Sequence, residues 1–543
     1  MSISTQITEL TSDITEAYAS INSKGGTIPA HKNTNNLADA IDSIPSGGSY
    51  QTKNVSITTN GTTVVTPDTG YDAMSSVTIA TAVPSTSGPI VEKDVNYIDY
   101  DGTLLYSYSA ADFLQLTSHP ALPNHEQEMD IYASGWATPL ETMKSMVQSD
   151  GWACTGALYS NNSADPTTVN REIRLRINIT DENYKYVAIK YICVGDNRIE
   201  WGDGTGVGFL RSGSSSSTYT VDHNYANTGR YTIKIYPANP SDDSTMFRTK
   251  GSSSYGGTCP YNGSDDYTGG AQVVRNYLEG VEIYGDSYMY SYNGYTFKSC
   301  MNLKYVIYGL GSQRAFNVSS GQGQDFYQCQ KLKCVIYKYD TSYWNGYNSL
   351  LYSSCQNLKY AINLGCNSPG LSLFVQSGLK YVNICPNDAK PLSATNGNLF
   401  YQCYSLEKVK LRATTAIGDY TFYNCTSLKE LEIPMAEETT MTIGPYCFQG
   451  CWSLEKLKIK GPCTQIGNNA FKECFALTLI DLSECTSVPT LSASPTSSSG
   501  ILYRANLNAK IVVPDDLYDT WIAAQYWSNI SSMIVKHSTY YGE

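Results

Sequence analysis

One repeated sequence pattern, between residues 278 and 483, constrains the fold of this chain more than any other feature. Each unit has an aromatic residue, a Cys three positions later, a Leu six positions later and then an alternating apolar strand, as in FYNCTSLKELEIP from Phe422. The Leu anchors recur every 21 to 29 residues, at Leu303, Leu332, Leu358, Leu379, Leu406, Leu428, Leu454 and Leu477. A unit this short cannot bury its apolar face alone, so the pattern predicts a stacked solenoid with one strand per unit.

Seven cysteines occupy the same position of this repeat, which predicts their chemistry. They are Cys300, Cys329, Cys355, Cys403, Cys425, Cys451 and Cys474, and an eighth unit around Leu379 lacks the Cys. A disulfide framework would need paired spacings, and a zinc site would favour CxxC or HExxH motifs; the sequence has neither. We therefore predict buried, reduced thiols that pack as small apolar side chains, with no metal.

The N-terminal segment carries a second periodic signal. Apolar residues at spacings of 4, 3, 4, 3 and 4 form a heptad seam: Ile3, Ile7, Leu10, Ile14, Ala17 and Ile21. Ile at both seam positions shifts coiled coils from dimers toward trimers or larger bundles. The seam predicts homo-oligomerisation, with a trimer favoured, and an ordinary amphipathic helix is the alternative.

The rest of the chain divides by composition and strand pattern into further modules. The predicted fold class is mainly β and multidomain, with an N-terminal coiled-coil helix, small β-modules, an immunoglobulin-like sandwich and a C-terminal solenoid with a cap. The predicted boundaries are 1–48 (helical oligomerisation and anchor region), 49–89 (small β-module and linker), 90–168 (α+β connector), 169–240 (β-sandwich), 241–277 (loop-rich linker), 278–485 (repeats) and 486–543 (cap).

Composition and charge exclude some classes of partner. The 37 Lys and Arg against 49 Asp and Glu give a net charge of −12, and no basic run stands out. Nucleic-acid binding relies on phosphate neutralisation, so this balance argues against it. The chain has no apolar stretch long enough to span a membrane, and residues 1–18 lack the pattern of a secretory signal. We therefore expect neither a nucleic-acid partner nor membrane insertion.

Several segments resemble known families. IGDYTFYNCTSLKELEIP (417–434) and IGNNAFKECFALTLIDLS (466–483) resemble the leucine-rich repeats of the BspA-like group of bacterial surface proteins. The sandwich resembles a PKD-like domain through WGDGT (201–205) and HNYANTGRYTIKI (223–235), which implies a structural role for Trp201, Asp203, Gly204, Gly229 and Tyr231. Residues 54–79 and 97–147 resemble segments of bacteriophage tail proteins.

The sequence offers little support for catalysis or a cofactor. Only five His residues exist, no GxSxG motif occurs, and the GDGTG of residues 202–206 lacks the Lys-Ser/Thr pair of a phosphate loop. A glycosidase would need a carboxylate pair, for which Asp265-Asp266 is a candidate. We expect no enzymatic activity and no cofactor.

The remaining clue to function is tyrosine, which occurs 45 times. Inserts in the first repeats mix Tyr and Trp with small polar residues, a composition typical of recognition surfaces. The receptor-binding candidates are Tyr288, Tyr290, Tyr292, Tyr343, Trp344 and Tyr347. Packing along the flanks of the solenoid is the alternative role for these residues.

With the family resemblances, these features favour a non-enzymatic phage virion protein of the tail-fibre or receptor-binding type. It would assemble in the host cytoplasm, attach to other virion proteins, in the tail, by its N-terminus, and contact a host-surface glycan or protein with its C-terminal repeats. The alternatives are a head fibre or capsid-decoration protein, a bacterial surface adhesin, and a polysaccharide depolymerase tailspike.

Overall fold

The structure is a computed structural model that divides into two units, Met1–Val91 and Glu92–Glu543. It describes residues 17, 18, 21, 61–65, 77–81, 90–167, 170–213, 219–239, 246–249, 275–285, 297–308, 326–337, 350–364, 372–384, 392–394, 397–411, 414–434 and 440–542. Each unit is described by itself below.

In the first unit, the structure describes three helical residues and two strands. Residues 17, 18 and 21 are helical, and Ile21 is 5% exposed within the single chain. Strands Gly61–Val65 and Val77–Thr81 pair antiparallel, with Val65 opposite Val77. Covering Ile21 therefore requires no second copy, and the trimer remains a prediction.

The second unit begins with the connector, which is residues 90–168 of the predicted scheme. Its four-stranded sheet has the spatial order Leu104–Tyr108, Val95–Ile98, Ala153–Ser160 and Tyr132–Trp136. Its helices are Ala110–Leu114, Glu126–Met129 and Leu140–Asp150. Helix Leu140–Asp150 buries Met143, Met146 and Val147 against this sheet.

A two-sheet sandwich follows the connector, as the alternating strands predicted. Its larger sheet contains Glu172–Ile179, Asn197–Glu200, Val207–Leu210 and Gly229–Pro237, and its smaller sheet contains Tyr186–Val194, Tyr219–Asn224 and Met246–Thr249. Inward residues such as Leu175, Ile189 and Ile233 form one buried cluster between the sheets.

The larger sandwich sheet continues directly into the solenoid. Strand Leu278–Tyr284 pairs antiparallel with Glu172–Ile179 on one side and parallel with the first repeat strand on the other. The repeat strands then add in parallel to complete a ten-stranded sheet: Tyr305–Tyr308, Cys334–Ile336, Tyr360–Leu364, Tyr381–Ile384 and Lys408–Lys410. Sandwich and solenoid therefore share one hydrogen-bonded sheet and one core.

Two more parallel sheets complete the solenoid and its cap. One contains Glu430–Pro434, Lys456–Lys460, Leu479–Asp481, Lys510–Val513 and Ile534–Lys536. The other contains Leu392–Ala394, Thr414–Ile417, Met441–Ile443, Cys463–Ile466 and Thr490–Leu491. The cap also has 3-10 helices Asp515–Leu517 and Trp527–Met533 and α-helices Tyr518–Ala523 and His537–Tyr541.

The interior of the solenoid is built from the two periodic positions of the sequence. The repeat aromatics stack into a continuous ladder with ring centroids 5.2 to 5.8 Å apart: Phe297, Phe326, Tyr352, Phe374, Phe400, Phe422, Phe448 and Phe471. From Cys329 onward, each repeat Cys donates its thiol hydrogen to the carbonyl of the preceding repeat's aromatic residue, with S···O distances of 2.9 to 3.2 Å.

The seven repeat cysteines are buried and form no disulfides, as predicted. Burial raises the pKa of the Cys355 and Cys451 thiols to about 12, so the reactive thiolate is scarce at neutral pH. Ser377 replaces Cys in the repeat headed by Phe374 and lies 3.4 Å from the Cys403 sulfur.

Two expectations about the modules need correction. The loop-rich linker 241–277 contains strand Met246–Thr249, which completes the smaller sandwich sheet. The later repeats contribute two strands each, because a short strand such as Met441–Ile443 precedes each aromatic residue. The connector, in turn, packs on the solenoid.

Candidate functional site

The connector covers the outer face of the early repeats, which are the four headed by Phe297, Phe326, Tyr352 and Phe374. On their strands, the residues two and four positions after the Leu anchor point away from the interior. These residues are Tyr305, Ile307, Cys334, Ile336, Tyr360, Ile362, Tyr381 and Asn383, and all are buried. They pack against connector residues such as Ile98, Trp152 and Leu158. Contact is close: a Cβ built on Gly156 would lie 2.6 Å from the Ile336 side chain.

Polar contacts fix this packing in register. Glu92 accepts hydrogen bonds from Lys359, Lys380 and Tyr360, which lie on neighbouring repeats. Burial alone would raise the pKa of Glu92, but these hydrogen bonds and the Lys359 charge lower it to about 2. Asp150 forms an ion pair with Lys410 at the far end of the covered face.

A buried ionic cluster joins connector, sandwich and solenoid. Arg174 and Arg176 of the sandwich both face Glu282 of the first solenoid strand, with Nε of Arg176 2.6 Å from Glu282 Oε1. The two guanidinium groups also donate to the connector carbonyls of Met129 and Asp130. Arg174 and Glu282 are fully buried, and a buried charge is costly without a partner of opposite charge. The arginines and Glu282 provide such partners for each other inside the junction. The cluster is structural and offers no open site.

The late repeats, headed by Phe400, Phe422, Phe448 and Phe471, present a different outer face. The equivalent strand positions hold Lys408, Lys410, Glu430, Glu432, Lys456, Lys458, Leu479 and Asp481. Most of these side chains are partly or fully exposed, and they form ion pairs between neighbouring strands, such as Lys456 with Glu430 at 2.8 Å. No connector residue covers this charged face within the described part of the second unit, apart from the pairing of Lys410 with Asp150.

Four tyrosines form a half-exposed cluster on the turns of the late repeats, and we name it the tyrosine corner: Tyr401, Tyr420, Tyr423 and Tyr446. Tyr401 and Tyr423 follow consecutive ladder residues and stack with centroids 4.9 Å apart. Tyr420 and Tyr446 lie two residues before the ladder residues of their own repeats, and their ring centroids are 4.8 Å apart. Tyr420 joins the two stacks by lying 5.6 Å from Tyr423 at 60°.

Three larger exposed side chains recur four positions after the ladder residue. Tyr404, Trp452 and Phe475, the exposed aromatic row, are 50%, 54% and 52% exposed. Backbone hydrogen bonds between turns place this part of one repeat beside the next, as when Ala476 N–H donates to the Trp452 carbonyl. The row and the tyrosine corner therefore lie on the same turns of the late repeats.

Planar polar groups border the tyrosine corner. The position two residues after each ladder aromatic has left-handed backbone and holds Gln376, Gln402 and Asn424 in successive repeats. The Gln376 amide donates to Gln402 Oε1 at 2.8 Å. Burial and the neighbouring rings raise the pKa of Tyr423 and Tyr420, so both hydroxyls are neutral donors at pH 7. The surface can thus stack on flat apolar faces and exchange hydrogen bonds.

The residues predicted to form sites mostly lie outside the described ranges. The receptor-binding candidates Tyr288, Tyr290, Tyr292, Tyr343, Trp344 and Tyr347 all fall there, as do Asp265-Asp266 and four seam residues, Ile3, Ile7, Leu10 and Ile14. The sequence reasoning did not select the tyrosine corner or the exposed aromatic row. The sequence does contain a signal for them, since aromatic residues recur at fixed offsets from the ladder position in the late repeats.

The sandwich residues Trp201 and Asp203 form a packed polar cluster. Trp201 stacks on His223 with centroids 5.0 Å apart, and His223 Nε2 lies 2.6 Å from Asp203 Oδ2. Gly204 has φ +81°, and Tyr231 packs on Tyr225.

Metal-ligand clusters and membrane-spanning helices can be assessed in the described ranges. There, no group of three or more His, Cys, Asp or Glu residues could hold a metal ion. In the same part of the chain, no helix combines the length and apolar composition that crossing a membrane would need.

Comparisons with known proteins identify the repeat region. Residues 393–511 match the family described as BspA type leucine rich repeat region, in six copies, and so confirm that part of the expected resemblance. No curated protein matches the chain. The PKD-like and phage-tail resemblances find no counterpart in these comparisons.

Two solved structures are similar to parts of the chain. A leucine rich cell surface protein from Faecalibacterium prausnitzii A2-165 is 14% identical, with a TM-score of 0.25; the match covers 55% of this chain and 92% of that one. A leucine-rich repeat protein from Bacteroides ovatus ATCC 8483 is 16% identical, with a TM-score of 0.19; coverage is 48% and 94%.

Proposed function

We propose that this protein is a non-enzymatic binding protein of the surface-adhesin class, and that its late repeats make the contact. One observation carries the proposal: the turns of the late repeats group the partly exposed tyrosine corner with the half-exposed Tyr404, Trp452 and Phe475 of the exposed aromatic row. Exposed aromatic side chains grouped on one surface are typical of recognition sites.

The repeat type supports the same interpretation. The BspA-type match falls on residues 393–511, the stretch that carries these aromatic side chains. Such repeats resemble those of the BspA-like group of bacterial surface proteins. This agreement favours the adhesin interpretation over the phage virion interpretation, which rests on the N-terminal heptad seam and on the resemblance of residues 54–79 and 97–147 to tail proteins.

Immunogold labelling tests the proposal. An antibody against the purified full-length chain is applied to intact cells of the source bacterium and to the particles that the culture releases. Label on the cell surface supports the adhesin, and label confined to phage particles replaces it with the virion protein. Label found only inside cells overturns a role in surface binding.

A blocking experiment tests which repeats make the contact. Fab fragments specific for residues 397–480 should prevent labelled protein from attaching to its target cells. Fab fragments specific for the sandwich, residues 170–239, are the matched control and should leave attachment unchanged. Equal blocking by both, or by neither, would contradict the assignment to the late repeats.

A further inference from the structure

We propose that the tyrosine corner is a binding site for an uncharged glycan. This inference rests on the proposed binding function and names the chemical class of its ligand. It depends on the stacked geometry of Tyr401, Tyr420, Tyr423 and Tyr446, on the uncharged positions around them, and on one buried acceptor that has no partner.

The geometry suits sugar rings. The two stacked pairs are almost parallel internally, with an interplanar angle of 6° in each, and the pairs meet at about 60°. All four rings are partly exposed on their turns. Flat aromatic faces pack on the C–H face of a pyranose, while tyrosine hydroxyls exchange hydrogen bonds with its rim.

The charge pattern selects an uncharged ligand. In the repeats headed by Phe400, Phe422 and Phe448, four positions of each turn form the corner and its border. One position lies two residues before the ladder residue, and the others lie one, two and four residues after it. These positions hold Asn398, Tyr401, Gln402, Tyr404, Tyr420, Tyr423, Asn424, Thr426, Tyr446, Gln449, Gly450 and Trp452. None of these positions is Lys or Arg. The neighbouring charges Asp419 and Glu473 are carboxylates, which repel a sulfate, phosphate or uronate, and Lys472 of the next repeat lies over the Tyr503 ring. Amides donate hydrogen bonds to hydroxyl groups and accept them.

A buried polar atom gives an independent indication of a ligand. Asn469 occupies the same turn position in the next repeat as Tyr446 does in its own, and both have left-handed backbone, with φ of 56° and 58°. Asn469 is 6% exposed, and its Oδ1 is buried without a hydrogen-bond partner. Buried acceptors are normally satisfied, and this oxygen, one repeat beyond Tyr446 at the same turn position, lacks the donor that a ligand hydroxyl would supply.

A protein partner is the competing class of ligand. Protein interfaces are also rich in Tyr, so the rings alone do not separate the two classes of ligand. The amides that border the corner, Gln402 and Asn424, suit the hydroxyl groups of a glycan. We therefore propose the glycan, and protein binding is an outcome of the test.

The test uses full-length protein on an array of neutral gluco-, manno-, galacto- and N-acetylglucosamine oligosaccharides, with sulfated and uronic acid oligosaccharides alongside. Calorimetry with the strongest neutral oligosaccharide then compares variants. Tyr420→Asn with Tyr423→Ser should weaken binding at least about tenfold, since two aromatic contacts are lost. Asn suits the left-handed backbone of Tyr420, where φ is 55°.

Two further variants separate the site from general effects. Tyr184→Ser with Tyr540→Ser removes two exposed tyrosines elsewhere and should leave affinity unchanged. Asn469→Gly removes the buried acceptor without backbone strain and should weaken binding about threefold or more, the loss of one hydrogen bond. Unchanged melting temperatures establish that each variant is folded.

Three results would overturn the glycan inference: no neutral oligosaccharide bound by the wild type, binding to anionic oligosaccharides alone, or full affinity in the double variant. Cell attachment that protease abolishes and periodate leaves intact would assign a protein ligand instead. In that case the surface-binding function would stand and the glycan inference alone would fail. Absence of the protein from every surface would remove the function itself.

Discussion

In the early repeats, the strand residues that point outward contact a second sheet, whereas in the late repeats most of the same positions face solvent. Tyr305, Cys334, Tyr360 and Tyr381 occupy one such column, and the exposed Lys408, Glu430 and Lys456 continue it. One aromatic ladder and one column of thiol hydrogen bonds run through the interior of both regions. The comparison shows that a solenoid can keep these interior contacts while its outward positions change from a covered apolar face to a charged surface.

The largest expected effect comes from exchanging the outward residues. Ile336→Lys places a charge between the sheets of connector and solenoid and should lower the free energy of unfolding by about 3–4 kcal/mol. Glu432→Lys, in the same column of a late repeat, should change it by less than about 0.5 kcal/mol, because that residue is exposed. Guanidinium titration measures both. Similar losses in the two variants would mean that the outer faces are not different.

The interior should respond equally in both regions. Cys355→Ala in an early repeat and Cys425→Ala in a late one each remove a buried sulfur and its hydrogen bond to a carbonyl. Each should cost about 2 kcal/mol. The corresponding Ser variants should cost less, because a hydroxyl can donate to the same carbonyl. Thiol titration of denatured wild-type protein should find all seven repeat cysteines reduced, and a large difference between the two Ala variants would contradict a common interior.

The stability that the covered face contributes should also depend on pH. Glu92→Gln removes the carboxylate that joins Lys359 and Lys380, and at pH 7 it should cost about 1 kcal/mol, allowing for partial solvent screening. The folded pKa of Glu92 is lowered from its usual 4.5 to about 2. Its contribution is therefore complete above about pH 5 and is lost as the pH falls through 2.

Melting temperatures of wild type and Glu92→Gln across this pH range test the prediction, and the two curves should converge at the acid end. Glu430→Gln is the matched control, because its ion pair with Lys456 is exposed on both sides. A gap between wild type and Glu92→Gln that stays constant down to pH 2 would contradict the lowered pKa.

The smallest effect on stability belongs to the exposed aromatic row. Trp452→Ser with Phe475→Ser should change the free energy of unfolding by less than about 1 kcal/mol, because both side chains are half exposed. Attachment to target cells should nevertheless fall. Unchanged attachment, measured with the same labelled protein as in the blocking experiment, would remove the row from the contact surface and leave the tyrosine corner to be tested alone.

The repeat, its Cys column and the cap could be predicted because each depends on local periodicity. The position of the connector could not, although the strands contained a signal: YVIY, CVIY and YAIN are apolar at consecutive positions, whereas KVKL and ELEI alternate. Consecutive apolar residues indicate a strand buried on both faces. The pattern does not say which distant segment covers the second face, and residues 95–160 are more than 140 positions away from most of those strands.

The candidate site illustrates the same limit. Tyrosine abundance pointed to recognition, but the long inserts of the early repeats drew the interpretation toward residues 284–295 and 337–352. Stacking the turns brings Tyr401, Tyr420, Tyr423 and Tyr446 together from three different repeats, and this proximity depends on the three-dimensional repeat distance rather than on sequence neighbours.

The connector's contact area also determines which part of the array can change in length during evolution. Its strand Ala153–Ser160 contacts three consecutive early strands, and Glu92 and Asp150 reach residues on the next ones. Gaining or losing an early repeat would move these partners out of register. The repeats headed by Phe422 and Phe448 pair only with neighbouring repeats among the described strands, so whole copies can be duplicated or deleted in this part of the array with the sandwich and connector unchanged. Among relatives, we expect repeat number to vary on the cap side and to stay constant on the sandwich side.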